Sequence, residues 1–231
     1  MKTALVTGGS SGIGAATARA LAKDGWHVIV AARRKDKLQA VAEEIGGEAI
    51  ALDVTDEDSV ARLVEQIDSL DLLVNNAGGA KGLDSVEEAN IDDWKWMYET
   101  NVLGTVRVTK ALLPKLVDGA QIVNVGSIAG ITPYVGGAGY NAAKFGVAAL
   151  TRVLRLETLD RPLRVCEINP GRVKTDFSLI RFKGDKERAD AVYAGHQNLV
   201  AEDIAEAIRW VASLPAHVNI DRLVIKPADQ G

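Results

Sequence analysis

A chain of 231 residues, 47% hydrophobic and 25% charged, has the size and composition of one large α/β domain. Its 27 basic and 31 acidic residues leave a net charge of -4, without the basic surface that nucleic acid or an anionic membrane demands. No apolar run reaches the ~18 residues of a membrane span, and the single cysteine excludes an intrachain disulfide.

The first apolar run, Ala4-Leu5-Val6, follows the N-terminus directly, with no signal-peptide pattern, so a cytoplasmic location is expected. Further short runs are Val28 to Val30, Ala49 to Leu52, Leu72 to Val74, Ile122 to Val125, Val165 to Ile168 and Leu223 to Ile225. Most are β-branched and continuous rather than alternating, as strands buried on both faces read. Amphipathic helices lie between them. Leu38, Val41 and Ile45 form one apolar stripe, and Val60, Leu63, Val64 and Ile67 another. Thr55 and Asp58 are an expected N-cap pair, while Gly25 and Gly46 suit left-handed helix ends. The rhythm predicts a single-domain Rossmann fold over 1–231: a doubly wound, seven-stranded parallel sheet with helices on both faces. One irregular, charged stretch, at about 175–199, is expected to lie over the ligand crevice. Cys166, inside an apolar run, reads as a small buried hydrophobe, and the three histidines show no metal-ligand spacing.

The first strand leads into Thr7-Gly8-Gly9-Ser10-Ser11-Gly12-Ile13-Gly14 and then a helix. Gly8 permits a tight turn, Gly12 lets backbone N–H groups approach a pyrophosphate, and Gly14 allows close helix–strand packing. The helix N-terminus adds a favourable dipole. After the second strand come Ala31-Ala32-Arg33-Arg34. The acid that would bond a ribose 2′-hydroxyl is missing, and Arg33 and Arg34 are placed to pair with a 2′-phosphate, so the expected cofactor is NADP(H). Asp53, after the third strand, is a candidate partner for the adenine amino group.

Tyr140 and Lys144 stand four apart at the start of a predicted helix and share a face. A nearby ammonium favours a phenolate, which would draw Tyr140 from its usual ~10 toward working pH as a proton-exchanging group. Ser127 closes the fifth strand, where its hydroxyl is placed to hold a substrate oxygen. Taken alone, the Tyr140/Lys144 spacing is common by chance. Its company is not.

Together, Gly8…Gly12-Ile13-Gly14, Asp53-Val54, Asn75-Asn76-Ala77-Gly78, Asn101, Ser127, Tyr140…Lys144 and Pro170-Gly171 resemble the short-chain dehydrogenase/reductase family over nearly the whole chain. The resemblance implies a catalytic tetrad of Asn101, Ser127, Tyr140 and Lys144, with Asn101 holding a relay water and Lys144 bonding the nicotinamide ribose. It also implies cofactor contacts along the glycine loop, at Val54, at Asn75, Ala77 and Gly78, and at Pro170, Gly171, Val173 and Thr175. The segments 176–185 and 214–220 resemble the NADP-dependent 3-hydroxy acid (serine/allo-threonine) dehydrogenase subgroup. That implies a small 3-hydroxy acid substrate, with Arg181 and Lys183 as candidate carboxylate partners and Arg172 and Lys174 behind them. A general NADPH carbonyl reductase and a non-catalytic dinucleotide sensor are the competing readings; the complete tetrad speaks against the sensor. A homotetramer built on helices around 105–116 and 140–159 is implied by the resemblance alone.

Overall fold

The β-branched runs become strands because their side chains are buried from both sides by helices. The computed structural model describes residues 1–231. In chain order the elements are β1 (Thr3–Thr7), α1 (Gly12–Lys23), β2 (His27–Ala32), α2 (Lys35–Ile45), β3 (Glu48–Ala51), α3 (Glu57–Glu65), β4 (Leu70–Asn75) and α4 (Ile91–Tyr98). A π turn, Glu99–Leu103, joins α4 to α5 (Gly104–Leu112). Then follow β5 (Leu116–Val125), α6 (Ala138–Glu157), β6 (Arg164–Pro170), α7 (Phe177–Arg181), α8 (Lys186–Ala191), α9 (Ala201–Ser213) and β7 (Arg222–Ile225).

One seven-stranded sheet runs β3-β2-β1-β4-β5-β6-β7, and every pairing is parallel. The expected architecture is therefore present. The winding reverses between β1 and β4, which opens a crevice at the carboxyl ends of the strands. On one face Ala4, Val6, Val30 and Val74 pack with Leu21, Leu38 and Ile208. On the other, Leu5, Ile29, Leu73 and Ile122 pack with Leu63, Val108 and Leu154. Small residues let α1 and α9 approach closely, through Ala16 and Ala20 against Ala201 and Ala205.

Three local expectations are corrected. Asp56, not Thr55, caps α3, accepting from the Asp58 N–H; the Thr55 hydroxyl turns back to the Asp53 carboxylate. The fifth strand begins at Leu116, six residues before the apolar run, with a register irregularity opposite Leu70/Leu72. The stretch after β6 is not irregular throughout, since it forms the short helices α7 and α8. Gly25 and Gly46 do take positive φ at helix ends. No helix is long and apolar enough to cross a membrane.

Candidate active site

The crevice is a cleft of about 760 Å³ running from Arg33 and Asp53 at one end to Ser127, Tyr140 and Arg181 at the other. Its floor is the glycine turn after β1. Gly8 and Gly12 both have positive φ, +66° and +53°, which only glycine adopts cheaply. A side chain on Gly12 would meet nothing nearer than Thr175 at 3.5 Å, so this backbone lies open to the cleft. Ser11 precedes α1 without capping it, and the first-turn N–H groups keep no side-chain partner. Gly14 does not line the cleft; it lies beneath Gly8, where a Cβ would press on the Gly8 carbonyl and come within 2.6 Å of Asn76 Nδ2. An open backbone cradle at an uncapped helix N-terminus fits a pyrophosphate.

At the far end of this cradle the two arginines divide. Arg34 donates to the Ser10 hydroxyl at 3.0 and 3.2 Å and to the Ser11 hydroxyl, and sits 3.9 Å from Asp176. Arg33 is exposed at the rim, free of ion pairs. Burial disfavours the Asp53 carboxylate, but the Thr55 N–H and hydroxyl and the Arg33 charge outweigh it and hold the group below its usual range. Two cationic side chains, an ionised acid and the phosphate cradle match the polar groups of a 2′-phosphorylated dinucleotide.

Not every residue of the fourth-strand motif reaches the cleft. Ala77, Gly78 and also Asn76 line it. Asn75 does not: its amide donates to Thr109 Oγ1 and Asn124 Oδ1, both at 2.9 Å, inside the sheet–helix interface. Pairing β4 to β5 and α5 is its role, so its expected cofactor contact is corrected. Asn76, named in the motif but given no contact there, holds the glycine turn instead, donating to Thr7 O at 3.0 Å. The sixth-strand loop does arrive: Pro170, Gly171, Val173 and Thr175 line the cleft, as do Val54 and Ile13.

The reactive end gathers Ser127 after β5 with Tyr140 and Lys144 from the first two turns of α6. Asn169 Oδ1 fixes the Ser127 N–H at 2.9 Å. Asn101 lies just behind, in the π turn, with its side chain bonded to Gly79 N, Gly79 O and Met97 O. Lys144 Nζ donates to the Val125 carbonyl at 2.9 Å and lies 5.8 Å from the Tyr140 ring centre. Burial pushes Lys144 down to about 8, opposed by Glu167. The electrostatics of Tyr140 correct the expectation. Burial and Tyr134 drive it well above the usual range, and the groups that oppose them are Ser127 and Arg181, not Lys144. Tyr140 is thereby held as a protonated hydroxyl, set to donate.

Arg181 comes to this end from α7. Its Nε donates to Gly82 O and its Nη2 to the Tyr134 hydroxyl, both at 2.9 Å. Its guanidinium carbon is 5.5 Å and 5.8 Å from the Tyr134 and Tyr140 ring centres. Five N–H donors minus two used leave three for a ligand. Lys183 is corrected: it turns away to Asp93 at 2.7 Å and does not line the cleft. Arg172 lines it, yet is taken up by Asn198, Gln197 and Asp229; Lys174 is exposed outside it. Trp96, Ile128, Phe177, Ile180 and Val192 supply an apolar wall. Trp96 carried no sequence signal, since its place depends on how α4 closes over the cleft. Cys166 is buried, its thiol pushed up to about 12, and takes no part.

A family model described as short chain dehydrogenase matches residues 2–184. An uncharacterized oxidoreductase of Mycobacterium tuberculosis is 58% identical over 231 residues, 99% of this chain and 92% of that one. A sulfoacetaldehyde reductase of Chromohalobacter salexigens is 44% identical over 236 residues, covering 97% and 93%. Among solved structures, the closed form of a serine dehydrogenase complexed with NADP+ superposes with a TM-score of 0.96 at 38% identity, covering 99% of this chain and 96% of that one.

Proposed function

We propose, from the premise that this chain belongs to the short-chain dehydrogenase family, that it is an NADP(H)-dependent oxidoreductase interconverting a small 3-hydroxy acid and its 3-oxo acid. The observation that carries the substrate class is Arg181, a cation with three unused N–H donors beside Tyr140 in an otherwise apolar wall. Serine and sulfoacetaldehyde, named for two of the relatives, both carry an acidic group on the carbon next to the reacting one. A 3-hydroxy acid has the same arrangement. Arg33 and Arg34 are assigned to the 2′-phosphate, and the turn Gly8 to Ile13 to the pyrophosphate.

When bound, NADP(H) supplies the hydride acceptor or donor. The chain's own residues orient and protonate. Arg181 anchors the acid group and thereby presents the adjacent carbon to the cofactor face of the cleft. The Ser127 hydroxyl bonds the substrate oxygen. In reduction, Tyr140 delivers its proton to that oxygen; in oxidation, the phenolate takes it back. Lys144, charged below about pH 8, stabilises that phenolate once the cleft is filled and water is excluded. Asn101, whose side chain is held by Gly79 and Met97 behind the cleft, is assigned to a relay water on the family resemblance.

The outer face of α6 exposes Phe145, Val153 and Leu156, with Leu159 just past its end, beside exposed Tyr98 of α4. An apolar stripe of this kind supports a homo-oligomer, with a tetramer as the expected size by sedimentation. A cytoplasmic location accords with a single buried thiol that needs no oxidising compartment. The test of function is a panel: NADP+ reduction with 3-hydroxypropanoate, 3-hydroxy-2-methylpropanoate, serine and threonine isomers, set against NADPH oxidation with neutral ketones and aldehydes. Turnover of the acids supports the assignment; turnover confined to the neutral carbonyls replaces it with a general carbonyl reductase.

A further inference from the structure

Beneath the reactive end lies a carboxylate that the reaction above does not use. Glu167, on β6, is buried, its side chain only 2% exposed. One of its oxygens, Oε2, accepts from Arg222 Nε and Nη2 on β7, both at 2.9 Å. The other, Oε1, is buried and has no partner. A buried, unpaired carboxylate oxygen is costly, and its persistence calls for a physical reason.

Its surroundings supply one. A Cβ on Gly126 would lie 2.8 Å from Glu167 Oε1 and would press on Asn169 Oδ1, so the strand end carries glycine to make room for these two side chains. Gly126 stands between Val125, whose carbonyl accepts from Lys144, and Ser127. The unpaired oxygen thus lies beside the strand end that holds Lys144 through the Val125 carbonyl and leads into Ser127. The groups around Lys144 are few. Tyr140 shares its helix, Asn101 approaches from the π turn, and Glu167 comes from β6 with Arg222 behind it. Of these, Glu167 is the charge that favours the Lys144 ammonium against burial. Arg222 is 25% exposed, so solvent screens it more than the carboxylate it holds.

We propose that Glu167 is a positioning residue for hydride transfer, a buried counter-charge that keeps Lys144 an ammonium, steered into place by Arg222 and accommodated by Gly126. It rests on the reaction proposed above, but its physical content is the coupling of two buried groups across the β5–β6 pair. Arg222 fixes Oε2 and leaves Oε1 unpaired beside Gly126, one residue from the carbonyl that holds Lys144. Swapping the carboxylate for an amide keeps the shape and removes the charge.

The experiment measures kcat and kcat/KM against pH for the wild type, Glu167→Gln and Glu167→Asp, in the oxidation direction. Alongside, the intact proteins, with Lys144 assigned through Lys144→Arg, are titrated by carbon NMR of ¹³C-labelled lysines. In Glu167→Gln the basic limb and the Lys144 midpoint both move to lower pH, by about half a unit or more, so that kcat falls most on the basic side of the profile. Glu167→Asp, which withdraws the charge by one methylene, moves them less in the same direction, and serves alone if the glutamine variant does not fold. A uniform loss at every pH with an unmoved limb, or an unmoved Lys144 midpoint, overturns the proposal. A wild type without dehydrogenase activity would instead reject the function proposed above, and the NMR midpoints would still decide the coupling.

Discussion

Replacing Arg181 by leucine removes the cation while keeping an apolar side chain at the edge of the wall. Two of its five N–H groups already serve Gly82 and Tyr134, and three remain for a substrate carboxylate. A charge-assisted hydrogen bond contributes about 1.5–3 kcal/mol, which corresponds to roughly ten- to a hundredfold in kcat/KM. Arg181 is half-buried at the mouth, so screening by solvent places the expected loss near the lower end, about tenfold. The loss of its bond to Gly82 also loosens α7 for any substrate, and that part must be separated. The assay is therefore a ratio: kcat/KM for 3-hydroxypropanoate divided by that for a neutral alcohol of similar size. Arg181→Leu lowers the ratio about tenfold, and Arg181→Lys, which keeps the charge but not the fork, lowers it less. A ratio unchanged in Arg181→Leu, with both substrates losing equally, would falsify carboxylate recognition by this residue.

Other outcomes follow from the same geometry. Tyr140→Phe abolishes turnover and leaves NADPH binding, measured by fluorescence, within about twofold; appreciable residual turnover would reject Tyr140 as the proton carrier. Arg33→Ala weakens NADP(H) at least about tenfold more than NAD(H), since one charged bond to the 2′-phosphate is lost; equal losses for both cofactors would remove that assignment. Lys144, drawn down to about 8 by burial, loses its proton as pH rises, so kcat for oxidation declines above about pH 8. Its contribution to stability has the opposite sign, because between about 8 and the unfolded ~10.4 the unfolded chain binds more protons and stability rises with pH. A pH-independent kcat between 7 and 10 would contradict the assignment. Gly126→Ala overpacks against Glu167 and Asn169, costing about 1–3 kcal/mol and, at a size of 150–250 residues, roughly 2–12 °C in Tm; an unaltered melting curve would show that this space is not needed.

How far the sequence reveals such a site depends on what kind of signal each residue carries. The strands were legible because burial on both faces leaves continuous apolar runs, and the glycine turn because positive φ at Gly8 and Gly12 restricts residue type. Tyr140 and Lys144 were legible as a helical pair, but the balance of charge around them was not. That Arg181, from α7, rather than Lys144 opposes the burial of Tyr140 follows from three elements meeting in space. Asn75 was misplaced for a similar reason: its neighbours Asn76 and Ala77 do face the cleft, and strand alternation alone turns it inward to Thr109 and Asn124. Lys183 and Arg181 are two apart in one charged stretch, and only the end of α7 separates one that faces the cleft from one that pairs with Asp93.

The π turn at Glu99–Leu103 is a helix carrying one residue more than its period accommodates. Each residue turns an α-helix by about 100°, so the surplus acts as a phase change along a nearly continuous rod. Before it, α4 directs Met97 toward Tyr140 and Val147 of α6. After it, α5 directs Val108 and Leu112 onto the sheet. One rod thus serves two differently oriented surfaces, and Asn101 stands at the change of phase. Removing a single residue there would restore a regular helix and force a choice between them: either the sheet keeps α5 or the reactive end keeps Asn101.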